Sequence, residues 1–197
     1  MIDGEKQRLR LRMRVQIRQH EPQGSGEHLR RVLEHDSWKQ AASALLYAPL
    51  PGEPDTTVLS RHNESRFIIF PKIEGACLGL YRQAEGSRWV NGPYGLQEPD
   101  PETWKKVSPD EIDLALIPGL AFDLEGGRLG RGRGYYDRLL GHPGFKGVKI
   151  GLCWEHQIVP MVPRSNSDIL MDGIITEERT ALVGDKNGSR LDKHEER

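Results

Sequence analysis

The 197-residue chain is poor in cysteine, in net charge and in long apolar runs. Its two cysteines, Cys77 and Cys153, stand far apart and form no CxxC pair. That excludes a thiolate zinc site and a disulfide framework, and it favours a reducing compartment. The seven histidines form neither HxH nor HExxH, so a histidine metal centre is not expected. Cys153 follows an apolar run and reads as a buried, inert thiol. No G-x-S-x-G nucleophile elbow occurs. The formal net charge of −1 argues against a protein held to nucleic acid or a membrane by bulk charge. No apolar stretch approaches the roughly 18 residues of a membrane span, and the first residues lack the apolar core of a signal peptide. A soluble cytoplasmic protein is expected. Its length suits one domain over 1–183, followed by a charged tail at 184–197 that lacks the apolar residues needed to order it.

Charge is present but uneven. Residues 5–18 hold six Lys or Arg against one Glu, and residues 128–138 hold four Arg against one Asp. In RLRLRMRVQIR (8–18) periodicity supports two readings. Leu9, Leu11, Met13, Val15 and Ile17 alternate as in a strand, while Leu9, Met13 and Ile17 alone keep helical spacing. A helix is expected over 27–35. Short apolar strands are expected over 43–47, 67–70 (stopped by Pro71), 112–117 (stopped by Pro118), 148–152 and 173–175. Residues 86–101, rich in Gly, Pro and aromatics, read as an ordered loop. YYDRLL (135–140) reads as a helix ended by Gly141 and Pro143. Strands alternating with helices imply an α/β domain with a mostly parallel sheet covered on both faces.

The most informative segment is IPGLAFDLEGGRLGRGRGYYDRLL (117–140). Between a strand and a helix lie Gly126, Gly127, Gly130, Gly132 and Gly134, interleaved with Arg128, Arg131 and Arg133. Glycines let successive backbone N–H groups converge on an anion, and arginines add forked, charge-assisted hydrogen bonds. The following helix turns its positive end to the same spot. The spacing is not that of a Walker A loop, since Arg133 and Gly134 replace its Lys and Ser or Thr. Nor is it the Rossmann fingerprint. A solvated surface loop and a short RGG-like RNA patch are the competing readings.

GRLGRGRGYYDRLL (127–140) resembles the signature loop of the 5-formyltetrahydrofolate cyclo-ligases, also called methenyltetrahydrofolate synthetases. Further segments agree in order: KQRLR (6–10), YAPLPGEPDT (47–56), FPKI (70–73), NGPYGLQEP (91–99) and VPRSNSDILMDGIITEE (162–178). The resemblance implies a three-layer α/β/α domain resembling the NagB/RpiA/CoA transferase-like fold, with a helical N-terminal segment. It implies ATP as co-substrate, Mg²⁺, and a reduced folate as substrate. The γ-phosphoryl passes to the formyl oxygen of 5-formyltetrahydrofolate. N10 then closes the ring to 5,10-methenyltetrahydrofolate, and phosphate leaves.

By the same resemblance Lys6 and Arg10 contact ATP phosphates. Arg128, Gly130, Arg131, Gly132, Arg133, Gly134, Tyr135 and Tyr136 cradle ATP, with the run from Arg131 to Tyr135 also touching folate. Arg131 and Arg133 neutralise the transferring phosphoryl group, although many relatives carry Gly or Lys at the Arg133 position. Asp137 and Asp168 hold the metal. Glu53 meets the pterin; from side-chain chemistry alone, Tyr135 and then Tyr94 are the candidates to stack on it, with Tyr47 and Trp89 weaker. A monomer without membrane or nucleic-acid partners is expected. The alternatives are a non-catalytic relative that binds nucleotide or RNA, and a different enzyme on a related scaffold.

Overall fold

The computed structural model describes residues 2–20, 24–61 and 66–184; the expected tail lies, from 185 on, outside them. Four α-helices are described: α1 (Ile2–Gln19), α2 (Gly26–Glu34), α3 (Asp36–Gln40) and α4 (Tyr135–Leu140). The strands are β1 (Ser43–Leu45), β2 (Phe67–Glu74), β3 (Cys77–Arg82), β4 (Trp89–Asn91), β5 (Gln97–Pro99), β6 (Lys105–Val107), β7 (Leu114–Ile117), β8 (Ala121–Phe122), β9 (Arg128–Leu129), β10 (Val148–Leu152), β11 (Gly173–Ile175) and β12 (Thr180–Leu182). Eight of them form one sheet in the order β12-β11-β10-β7-β1-β2-β3-β6. The five central strands, β11 to β2, are parallel, and antiparallel strands flank them. The expected mostly parallel α/β sheet is therefore present.

Neighbouring residues on the central strands pack to opposite sides. Ala44, Ile68, Phe70, Leu114, Leu116 and Ile150 join one core, against Val32 and Trp38 of α2 and α3. Leu45, Ile69, Ala115, Ile117 and Ile174 join the other, against Leu139 and Leu140 of α4. Period-2 geometry sends alternate side chains to two covered faces, which is why these strands read as continuous apolar runs.

The N-terminal conflict resolves as a helix. Leu9 and Met13 of α1 are buried, and Ile17 packs beside them, against Leu120, Ala121, Leu129, Val159 and Val162. The other alternating residues, Leu11 and Val15, are exposed.

Three expectations are corrected. Pro71 does not stop β2. Ile69 directs its carbonyl to Leu46, and alternation turns Pro71 to that same side, beyond the last β1 residue paired with β2. Its missing N–H therefore costs no ladder bond. Residues 86–101 are not simply a loop, because β4 and β5 pair as a hairpin there. The strand expected at 112–117 begins at Leu114. The glycine–arginine segment also holds the small β8–β9 hairpin. Its turn is organised by buried Asp123, which accepts from Glu125 N and Gly127 N and anchors Val162 N at 2.7 Å.

Glycine matters structurally at Gly151 in β10, where an added Cβ would lie 2.5 Å from the fully buried Phe122 ring. Gly151→Ala is expected to destabilise the fold by about 1–3 kcal/mol. Chemical denaturation would read this, and an unchanged midpoint would contradict the packing described.

Candidate active site

Chain direction in the sheet sets the position of the cleft. From β1 the chain moves outward to β2, whereas from β7 it moves to β10 and β11 on the other side. The order reverses between the adjacent strands β1 and β7. In open parallel sheets such a point leaves a crevice beyond the carboxyl ends of the strands. A cleft of ≈ 790 Å³ lies there. It is lined by Tyr47, Ala48, Leu50 and Glu53 after β1, and by Pro118, Gly119 and residues 128–137 after β7.

Thirteen of the sequence-derived site residues line this cleft. These are Lys6, Arg10, Glu53, Arg128, Gly130, Arg131, Gly132, Arg133, Gly134, Tyr135, Tyr136, Asp137 and Asp168. The Tyr94 side chain lies outside the described atoms. Trp89 does not line the cleft but packs edge-on against Phe70 and Trp104, because those rings bury the β4–β5 hairpin. Tyr47 is buried beneath the cleft, its hydroxyl without a hydrogen-bond partner among the described residues. Burial pushes that hydroxyl well above its ordinary pKa.

Three ion pairs organise the polar groups. Arg131 reaches across from the glycine-rich segment to Glu53, 2.7 Å from Nη2 to Oε1. The Glu53 side chain is only 6 % exposed, and its second oxygen accepts from Leu50 N. Burial pushes this carboxyl up, and Arg131 with the Leu50 N–H offsets that only in part. Arg128 is buried over the Tyr136 ring and pairs with Asp137 Oδ1 at 2.8 Å. Lys6 on α1 pairs with Asp168 Oδ2 at 2.5 Å, and Asp168 also accepts from Ser165 N and Oγ.

The backbone of the segment is held as well. Arg10 Nε donates to Gly130 O at 3.0 Å. Gly132 (φ 104°) and Gly134 (φ 67°) occupy the left-handed region, which favours glycine. Arg138 donates to Ala76 O and Arg133 O, and Tyr135 Oη to Gly75 O, tying α4 to the β2–β3 turn.

Sequence reasoning missed Arg14 and Glu98, which also line the cleft. Both sit in or beside segments that carried the resemblance, but only tertiary packing turns them inward. Arg10, Arg14 and Arg133 have no carboxylate partner among the described residues. One part of the cleft is therefore rich in unpaired guanidinium groups from α1 and the 128–134 segment. The part formed by β2, β3 and the approach to β5 has an apolar patch of Pro71, Ile73, Leu78 and Leu96, beside Gln97 and Glu98.

Such a sheet, with a cleft at its reversal point that presents guanidinium groups on one side and apolar side chains on the other, defines an α/β protein with a composite ligand pocket. Comparison with known proteins fixes the family. The family model for the 5-formyltetrahydrofolate cyclo-ligases matches residues 3–177, and the chain belongs to that family. A Mycolicibacterium smegmatis 5-formyltetrahydrofolate cyclo-ligase is 34% identical over 68% of this chain and 72% of its own. The solution structure of Aquifex aeolicus 5,10-methenyltetrahydrofolate synthetase superposes with a TM-score of 0.80 at 33% identity, covering 97% of this chain and 99% of that one. The Mycoplasma pneumoniae 5,10-methenyltetrahydrofolate synthetase shares the fold, with a TM-score of 0.68 at 22% identity over 88% of this chain and 99% of that one.

The Lys6–Asp168 pair makes stability depend on pH. Burial raises the Asp168 carboxyl, but hydrogen bonds from Lys6 and Ser165 outweigh burial and hold it below its ordinary pKa. Its stabilising contribution is thus present above the ordinary carboxylate range and is lost as pH falls through it. Asp168→Asn is expected to lower the melting temperature near neutral pH and to flatten its acid decline. Parallel melting-temperature curves for both proteins would contradict the pairing.

Proposed function

We propose that the chain is an ATP- and Mg²⁺-dependent 5-formyltetrahydrofolate cyclo-ligase that forms 5,10-methenyltetrahydrofolate. The observation that carries this reading is the division of one cleft into a guanidinium-rich part and an apolar part, joined by the Glu53–Arg131 pair. The triphosphate suits the first part and the pterin the second. The names of relatives matched over 68% and 97% of the chain support the same substrate.

Arg10, Arg14 and Arg133 supply cationic donors for phosphate oxygens, and Lys6 and Arg131 supply more if their carboxylate partners release them. Arg131 and Arg133 neutralise charge at the transferring phosphoryl group, and little covalent chemistry is left for the protein. Glu53 accepts pterin N–H donors, which it does better once Arg131 has turned to phosphate. Tyr135 and Tyr136 flank the site, and Tyr94 serves as a stacking residue. Ring closure joins two parts of a single folate, so holding N10 beside the formyl carbon contributes through proximity.

The donor set fits Mg²⁺. Asp137 lines the cleft half-exposed, and among the described residues no hydrogen bond reaches its second oxygen. One or two carboxylates plus phosphates satisfy this ion. Asp168 joins only when Lys6 moves to phosphate, since Lys6 and Ser165 now occupy both its oxygens. When bound, the ion supplies charge neutralisation between the phosphates.

A single domain over 1–183 acting as a cytoplasmic monomer completes the proposal. Two free cysteines, Cys77 exposed and Cys153 buried, fit a reducing compartment, and among the described residues no helix is long and apolar enough to cross a membrane.

Purified protein mixed with Mg-ATP and 5-formyltetrahydrofolate is expected to raise the near-ultraviolet absorbance of the methenyl product. Omitting any component should abolish the rise. Arg131→Ala and Asp137→Ala are each expected to lower turnover by about 100-fold or more, with the circular dichroism spectrum unchanged. A flat trace from the complete wild-type mixture would refute the proposal.

A further inference from the structure

Glu98 is a buried carboxylate in the cleft wall for which the reaction outlined above has no use. Its side chain is 4 % exposed. It projects from β5, opposite Val90 in the β4–β5 hairpin. Oε1 accepts from Ile73 N at 3.1 Å, and Oε2 faces Lys72 Nζ at 3.2 Å. Ile73 lies beyond the β1 pairing of β2, on the side where Pro71 has no N–H to offer. Glu98 thus satisfies a donor on the open edge of β2.

That alone does not require a charge. A glutamine carbonyl would cap Ile73 equally well, and a buried carboxylate costs more than a buried amide. Yet the fold keeps the acid. Lys72 compensates its charge, and the bare Gly92 makes room, since a Cβ there would lie within 2.4 Å of the Glu98 carboxyl carbon. A carboxylate offers about four acceptor positions, and protein donors occupy two. The residue lines the apolar part of the cleft beside Ile73, Leu78 and Leu96, where the cleft-lining arginines are not its partners.

We propose that Glu98 is a substrate-recognition residue. Its free acceptor positions receive N–H donors of the pterin ring, so that two carboxylates, Glu53 and Glu98, read the heterocycle. This rests on the cyclo-ligase reading and adds a residue to it. Its consequence is selectivity for a donor-rich heterocycle over an apolar ring of similar size, since the unpaired acceptor would otherwise be buried without a partner.

Calorimetric titration of the full chain with 5-formyltetrahydrofolate, p-aminobenzoylglutamate and Mg-ADP separates the outcomes. Glu98→Gln keeps the cap on Ile73 but replaces one acceptor oxygen by an amide NH2 donor. It should weaken 5-formyltetrahydrofolate binding about tenfold or more, leaving the pterin-free fragment and Mg-ADP unchanged. Gly92→Ala, which displaces the same carboxylate, should show the same selective loss. Unchanged 5-formyltetrahydrofolate affinity in Glu98→Gln would overturn the proposal while leaving the cyclo-ligase reading intact. An equal loss for all three ligands would reduce Glu98 to a structural strut. Wild-type protein that binds no 5-formyltetrahydrofolate would overturn both.

Discussion

The ion pair between Glu53 and Arg131 joins the two halves of the site. Glu53 lies on the connection that follows β1, and Arg131 on the segment that follows β7. The two ends of the pair are unequal. Glu53 is buried, and burial raises its pKa despite the guanidinium beside it. Arg131 is exposed and flanked by glycines, free to exchange its partner. A phosphate that draws Arg131 away leaves Glu53 a buried acceptor in need of donors. On the proposed reading, occupation of one part of the cleft would favour occupation of the other.

The same exchange recurs around the cleft. Lys6 is held by Asp168 and Arg128 by Asp137, so two acids attributed to the metal neutralise two bases attributed to nucleotide. Without ligand, the charges satisfy one another at modest cost. With a polyphosphate and a divalent ion, each partner has a stronger counterpart. In the Arg128–Asp137 pair the base is buried against Tyr136. The Lys6–Asp168 pair links α1 to a polar turn, with both Asp168 oxygens accepting from Lys6. Arg10 and Arg14, reaching carbonyls at 3.0 and 3.5 Å, tie the same helix to the glycine-rich segment.

Much of the fold was legible where one physical signal stood alone. The bounds of α4, β10 and β11 agree with the sequence reading, and α4 ends at Gly141 as its composition suggests. β6 (KKV) and β12 (TAL) escaped it because strands at sheet edges need little apolar surface. β2 was cut short at Pro71, since a proline breaks a ladder only on its paired side, and pairing is a tertiary fact. In α1 period alone left helix and strand open, and packing of Leu9 and Met13 on the β8–β9 hairpin selects helix. Site residues were legible where they share the glycine–arginine segment or its matched partners. Glu98 was not, because nothing local distinguishes it from a strand-end acid. Its place depends on how the β4–β5 hairpin docks against the far half of β2.

The division of the cleft is the claim on which this account stands, and a crystal structure with Mg-ADP and 5-formyltetrahydrofolate bound tests it most directly. The expected result is phosphates among Arg10, Arg131 and Arg133, with Arg131 released from Glu53 and the pterin against Ile73, Leu78 and Leu96. A pterin lodged among the arginines, or phosphates bound with the Glu53–Arg131 pair undisturbed, would contradict it.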